Sequence, residues 1–269
     1  MIQNLSYGPH GERNLLDLFL PEAAKGPVPL VLCIHGGGWR GGSKEVFHWM
    51  GEDLARRGFA AASLTYRFWP DWLYPAAVDD VQRAVRWLRR HAREYGVDPK
   101  RFGAIGGSAG GHLSSYLALA ETRANDEPEL AGYSSKVSCV VDCYGPVDLP
   151  SMMASASAPI ILGFMAKPLE EAEEQYREAS PFHLVSRNPP PFLIVHGTAD
   201  IGVVQGQVPV DQSVRFAERL RQAGGQVTLL LLEGAPHGFS GNPASEHTIR
   251  MWAAAVPFFE EHLRGRGRR

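Results

Sequence analysis

Apolar positions along the chain switch repeatedly between a period of two and one of about 3.6 residues, and each switch marks a new element. Residues 15–20 alternate apolar and polar, which predicts an edge strand. Leu30-Val-Leu-Cys-Ile34 is an unbroken apolar run, the mark of a strand buried on both faces. A helical stretch is expected over 45–57, ended by Gly58, with a strand over 59–66 behind it. The clearest helix spans 78–95, where Val78, Val81, Val85, Leu88 and His91 recur at helical spacing. Beyond it the pattern predicts strands at 101–105, 137–144, 192–196 and 226–232. Helices are predicted at 112–119, 210–223 and 245–263. Such alternation specifies an α/β fold with a mainly parallel sheet covered by helices on both faces.

Two segments break the rhythm. Residues 149–180 hold a Met- and aliphatic-rich stretch and an acidic helix over 169–177, which reads as a flap over a site or as ordinary packing. Residues 201–209 form a loop that either shapes a pocket rim or is a surface excursion. Without internal repeats or an interdomain linker, residues 1–269 are expected to form one domain.

The run Gly106-Gly-Ser-Ala-Gly-Gly111 changes the picture from fold to chemistry. Gly-x-Ser-x-Gly between a strand and a helix forms a nucleophile elbow, a turn so sharp that it pushes the hydroxyl of Ser108 above the sheet. A serine hydroxyl needs a base, an orienting acid and an oxyanion site. Asp200 is the candidate acid, just past the strand end Phe192-Leu-Ile-Val-His-Gly197, where ligands gather in open α/β sheets. His237 is the candidate base, after the strand at 226–232 and a Gly-Ala-Pro loop. Asp142 and Asp148, at another strand end, are the competing acids. Strand 30–34 delivers into His35-Gly-Gly-Gly-Trp39, whose bare backbone can offer N–H groups to a developing oxyanion. Gly37, Gly38 and the amide of Ala109 are the assigned donors, each typically worth about 3–4 kcal/mol of barrier. His35 is expected to hold the glycine loop by hydrogen bonding, and His112 and His196 to be structural. Trp39 is a candidate pocket residue, with Trp69 and Trp72 as further aromatics that line a pocket or simply pack.

Composition adds little beyond a globular protein: 44% hydrophobic, 21% charged and a formal net charge of −2. That charge gives no electrostatic reason to expect nucleic acid or an anionic membrane as partner, and the basic tail from Arg264 to Arg269 reads as a solvated terminus. Cys139 and Cys143 share a strand face about 13 Å apart, too far for a disulfide, and Cys33 lies in another strand. No Cys/His spacing implies a metal. The first residues lack a secretory pattern and no stretch is long enough to span a bilayer, so a cytoplasmic enzyme is expected, although a trimmed secreted one reads the same.

Together, His35-Gly-Gly-Gly-Trp39, Gly106-Gly-Ser-Ala-Gly-Gly111, His196-Gly-Thr-Ala-Asp200 and Pro236-His-Gly-Phe239 resemble the α/β-hydrolase esterases. The nearest groups are the acetylxylan/feruloyl esterase-like (BD-FAE-like) and hormone-sensitive-lipase-like enzymes, and the resemblance runs over about 7–263. It implies an α/β-hydrolase fold with a small cap. The implied activity is a serine carboxylesterase cleaving short acyl esters, acetyl or feruloyl esters of carbohydrates among them, through an acyl-enzyme. No cofactor is implied, the partner is a small-molecule or carbohydrate ester, and the oligomeric state is left open. Two departures stand out. Residues 201–207 are wedged between Asp200 and a Val208-Pro-Val-Asp-Gln-Ser213 run that usually follows the acid closely, and there is little room for a long amino-terminal cap. An arylformamidase or other amidase would use the same residues. A prolyl-oligopeptidase-type peptidase lacks its propeller here, and a ligand receptor would have lost a triad member, whereas all three are present.

Overall fold

The structure is a computed structural model and describes residues 1–121 and 128–264. Residues 265–269 of the basic tail lie outside the described residues. The strands are β1 Ile2–Ser6, β2 Leu15–Phe19, β3 Val28–Ile34, β4 Ala60–Leu64, β5 Val97–Gly107, β6 Cys139–Cys143, β7 Phe192–Gly197 and β8 Val227–Leu232. The α-helices are α1 His48–Arg56, α2 Ala76–Arg90, α3 Ala109–Leu119, α4 Leu149–Met152, α5 Ala158–Met165, α6 Leu169–Glu178, α7 Pro181–Leu184, α8 Val210–Gln222 and α9 Glu246–Arg264.

The strands form one sheet in the order β1-β2-β4-β3-β5-β6-β7-β8. β1–β2 and β2–β4 pair antiparallel, and every other neighbouring pair is parallel. The central strands bury both faces, so their residues alternate between two cores rather than between core and water. Leu30, Leu32 and Ile34 of β3 enter the core beneath α2, α3 and α8. Val31 and Cys33 enter the core beneath α1 and α9. All three cysteines are free and buried, and burial pushes the Cys33 thiol up to about 12. This is the α/β-hydrolase architecture, an open and mostly parallel sheet with helices on both faces.

Register decides where the chemistry collects. Ile34 pairs with Gly106, Gly107 with Cys143, Cys143 with Val195 and Gly197 with Leu232. The carboxyl ends of β3, β5, β7 and β8 therefore finish along one rim, and the loops that follow them share one end of the sheet.

Three elements differ from the sequence pattern. The alternating strand β2 is not at the sheet edge, because the mostly exposed β1 pairs against its outer side. The stretch over 45–57 opens as a 3-10 turn, Lys44–Phe47, before α1 begins. Helix α2 stops at Arg90, and its spacing continues to Tyr95 through hydrogen-bonded turns closed by Gly96 at φ +64°. The acidic helix α6 lies where its charge pattern places it, inside a run of four short helices, α4 to α7.

Candidate active site

Strand β5 runs straight into α3 with Ser108 as the only joint, at φ 55° and ψ −122°. A positive φ on a non-glycine residue costs on the order of 1–3 kcal/mol and is retained where the surroundings over-determine it. Here they do. A Cβ on Gly106 would lie 2.2 Å from the Gly110 carbonyl oxygen, and one on Gly110 would lie 1.9 Å from that of Ile34. Only glycine lets strand, turn and helix approach this closely. The Ser108 amide donates to the Cys143 carbonyl at 2.9 Å, which ties the turn to β6.

Above the elbow, Nε2 of His237 lies 2.9 Å from Oγ of Ser108, and Nδ1 lies 2.6 Å from Oδ2 of Asp200. The carboxylate accepts only, so Nδ1 carries the proton and Nε2 is left to receive one from the serine hydroxyl. Asp200 is fully buried, and the His237 side chain is 18% exposed, open to a ligand on one side only. Burial pushes the Asp200 carboxyl up, but hydrogen bonds from His196 and His237 outweigh it and hold the group below the usual carboxylate range. The Tyr144 ring stands edge-on to His237, 4.9 Å between centroids, and forms the wall behind it.

The competing acids are engaged elsewhere. Asp142 accepts from the Ser115 hydroxyl and the Gly145 amide, and burial raises its carboxyl. Asp148 pairs with His183 and Arg215. Neither is bonded to His237.

The glycine loop faces Ser108 from β3. Gly37 and Gly38 have φ +117° and +60°, and among the described residues no group accepts from their amides. Ala109 opens α3, so its amide has no partner within the helix. A Cβ on Gly37 would lie 2.2 Å from the Gly41 carbonyl oxygen, so the loop doubles back tightly at that point. His35 behaves as expected, its ring stacked on Tyr66 at 4.6 Å and its Nδ1 2.7 Å from the Gly36 carbonyl oxygen.

The tryptophans divide between the two readings, lining and packing. Trp39 borders the cavity but is only 1% exposed; it stacks on Phe164 of α5 at 4.3 Å and donates to Nδ1 of His112. Nε2 of His112 in turn lies 2.7 Å from the Ala179 carbonyl oxygen, so this imidazole links the glycine loop to the end of α6. Trp69 and Trp72 are not among the cavity-lining residues, and Trp69 instead donates to the Gly38 carbonyl at 2.9 Å.

The residues meet at the floor of a cavity of about 460 Å³. Its lining includes Val46, Phe47, Met152, Ile160, Gly206 and Gln207. Both segments that broke the sequence rhythm thus contribute to this cavity. Asp17, Glu45 and His48 converge closely enough for a metal, but the Lys44 ammonium sits 2.6 Å from Asp17 and 2.9 Å from Glu45 and supplies the positive charge itself. Among the described residues no helix is long and apolar enough to cross a membrane.

The structure brings Ser108, His237 and Asp200 together, and it adds a contact outside the sequence reading. His196, at the end of β7, lies against the same Asp200 oxygen as His237, at 3.1 Å. The Gly-containing spacing His196-Gly-Thr-Ala-Asp200 was the available signal, because a strand end followed by a tight turn brings positions four apart back together.

Comparison with known proteins agrees with this architecture. The BD-FAE family model matches residues 16–220. "Probable carboxylic ester hydrolase LipM" of Mycobacterium tuberculosis is 34% identical over 255 residues, covering 91% of this chain and 58% of that protein. This chain therefore spans less than two thirds of the length of that relative. A solved structure titled "Truncated form of carbohydrate esterase from gut microbiota" superposes with a TM-score of 0.84 at 26% identity, covering 97% of this chain and 95% of the other. A propionate-bound esterase from Thermogutta terrifontis superposes with a TM-score of 0.82 at 27% identity, covering 97% and 94%. On the family match and these likenesses, the chain belongs to the BD-FAE family of α/β-hydrolase esterases.

Proposed function

We propose that this chain is a serine carboxylic ester hydrolase that cleaves short-chain acyl esters, acetyl or feruloyl esters of carbohydrates among them, through an acyl-enzyme on Ser108. The observation that carries the reading is the unbroken hydrogen-bond run from Ser108 Oγ to His237 to Asp200, at 2.9 and 2.6 Å.

In this mechanism, His237 Nε2 takes the hydroxyl proton as Ser108 Oγ attacks the ester carbonyl. Asp200 keeps the imidazole in the tautomer that can accept and stabilises the imidazolium that forms. The amides of Gly37, Gly38 and Ala109 point at the oxygen that gains the negative charge. Collapse of the tetrahedral intermediate breaks the bond to the alcohol, whose oxygen takes the proton back from Nε2. Water then repeats the sequence on the acyl-enzyme, releasing the acid and restoring the serine.

Apolar side chains of Met152, Ile160 and Ile161 line the cavity, which supports a reading in which it takes a small acyl group. Propionate in the Thermogutta terrifontis esterase and the carbohydrate esterase likeness lean the same way.

The test is a chain-length series of p-nitrophenyl esters with acetylated xylan and methyl ferulate, and Ser108→Ala as blank. Turnover should peak among the shortest acyl groups and fall by about 10⁴-fold or more in the variant. Full activity in Ser108→Ala, or a preference for long acyl chains, would overturn the reading.

A further inference from the structure

Asp200 is fully buried and its carboxylate receives three donors. The Val208 amide bonds Oδ1 at 2.9 Å, while His196 and His237 both bond Oδ2, at 3.1 and 2.6 Å. The proposed mechanism accounts for one of these imidazoles and leaves the other, completely buried, without a task.

The contacts fix the state of His196. Its Nε2 faces two acceptors, Asp200 Oδ2 at 3.1 Å and the Val208 carbonyl at 3.0 Å, so Nε2 carries a hydrogen shared between them. Its Nδ1 lies 2.6 Å from Ser213 Oγ on α8 and accepts from that hydroxyl. The result is a continuous relay: Ser213, His196, Asp200, His237, Ser108.

The backbone around Asp200 is already held, by its own amide on the Gly197 carbonyl and by the Val210 amide on its carbonyl. What remains free is the rotation of the carboxylate. Val208 anchors the Oδ1 end, but without His196 the Oδ2 end would be held only by His237, the group it has to aim. A part cannot be aligned by the piece it aligns. The seven residues at 201–207 that separate Asp200 from Val208 make the problem sharper, because the Oδ1 anchor sits at the far end of that loop. His196 grips both ends of the loop through one N–H.

We infer that His196 is a positioning residue, which holds the Asp200 carboxylate in the plane of His237 and closes the 201–207 loop onto it. This rests on the proposed esterase reading for its effect on rate, though not for its effect on the hydrogen bond.

The test compares His196→Ala with His196→Gln, whose side-chain amide can place an N–H near the position of Nε2. Steady-state kinetics on p-nitrophenyl acetate give one readout. The low-field proton NMR signal of the His237 Nδ1–H bond to Asp200 gives another, which needs no turnover. His196→Ala should lower kcat about tenfold to a hundredfold with KM nearly unchanged, the range expected when a reacting group is misplaced by about 1 Å. The low-field signal should weaken or vanish. His196→Gln should recover most of both. If His196→Ala folds and keeps the wild-type kcat and the low-field signal, the inference is overturned. If His196→Ala does not fold, Gln decides: a folded Gln variant that lacks the signal also overturns it. Should wild type cleave no ester while the signal is lost in Ala and kept in Gln, the esterase reading fails and the positioning role stands.

Discussion

The indole of Trp39 donates to Nδ1 of His112 at 3.2 Å, joining the glycine loop to the helix that follows Ser108 across 73 residues of sequence. Since Nδ1 accepts, Nε2 bears the proton that goes to the Ala179 carbonyl. The ring is neutral and has no place for a second proton.

Burial accordingly lowers His112 to about 4, and burial likewise lowers His35 to about 4. Both folded values lie below the unfolded one of about 6.5, so between these limits the unfolded chain binds the extra protons. Stability should therefore fall as pH drops from about 6.5 toward 4, by up to about 1.4 kcal/mol per pH unit for each imidazole. Urea melts at pH 7, 6 and 5 measure the slope. His112→Gln should make it shallower by about one proton's worth, and an unchanged slope would count against a neutral His112.

Asp200→Asn should drop kcat by about 10⁴-fold at neutral pH while the fold survives, because an amide no longer selects the tautomer that accepts from Ser108. The amide also brings two N–H groups into a cradle made of donors, Val208, His196 and His237. Single-turnover kinetics should show the loss in acylation.

The two glycines proposed as oxyanion donors should respond unequally. At Gly37 a Cβ meets the backbone of Gly41 at 2.2 Å, whereas at Gly38 it meets side chains alone, Ile160 at 3.0 Å and Arg40 at 4.0 Å. Gly37→Ala must move the loop and should cost about 10²–10³-fold in kcat, the range for losing an oxyanion donor. Gly38→Ala should cost much less, and Ile160→Ala combined with it should restore part of the difference. Equal losses in the two single variants would show that the loop is not held by the Gly37 contact.

Ile160→Ala alone should enlarge the acyl end of the cavity and shift the best substrate toward a longer chain. One methylene in such a pocket is worth about 1–3 kcal/mol in kcat/KM. An unchanged chain-length profile would place the acyl group elsewhere.

Much of this was legible in the sequence for a local reason. Period, glycine placement and strand-end position are properties of short windows, and they located Ser108, Asp200, His237 and the glycine loop. What escaped depended on partners distant in the chain. β2 has an edge strand's alternation, yet β1 covers its outer side by pairing through only a few residues. Trp39 borders the cavity as its position suggests, but its partners Phe164 and His112 lie far along the chain. His196 reads as a satisfied core histidine, and it is one, but what satisfies it is Asp200.

The proposed nucleophile and base are mounted on different supports. Ser108 follows β5, which is paired on both sides by β3 and β6, whereas His237 follows β8, which has β7 on one side and, among the described residues, no strand on the other. The strained backbone is thus stored where the sheet yields least. The imidazole, which in the proposed mechanism must face first the serine oxygen and then the departing alcohol, follows an edge strand. The two partners of a single hydrogen bond thus hang from an edge strand and a central one, so on warming the amides of β8 should exchange before those of β5.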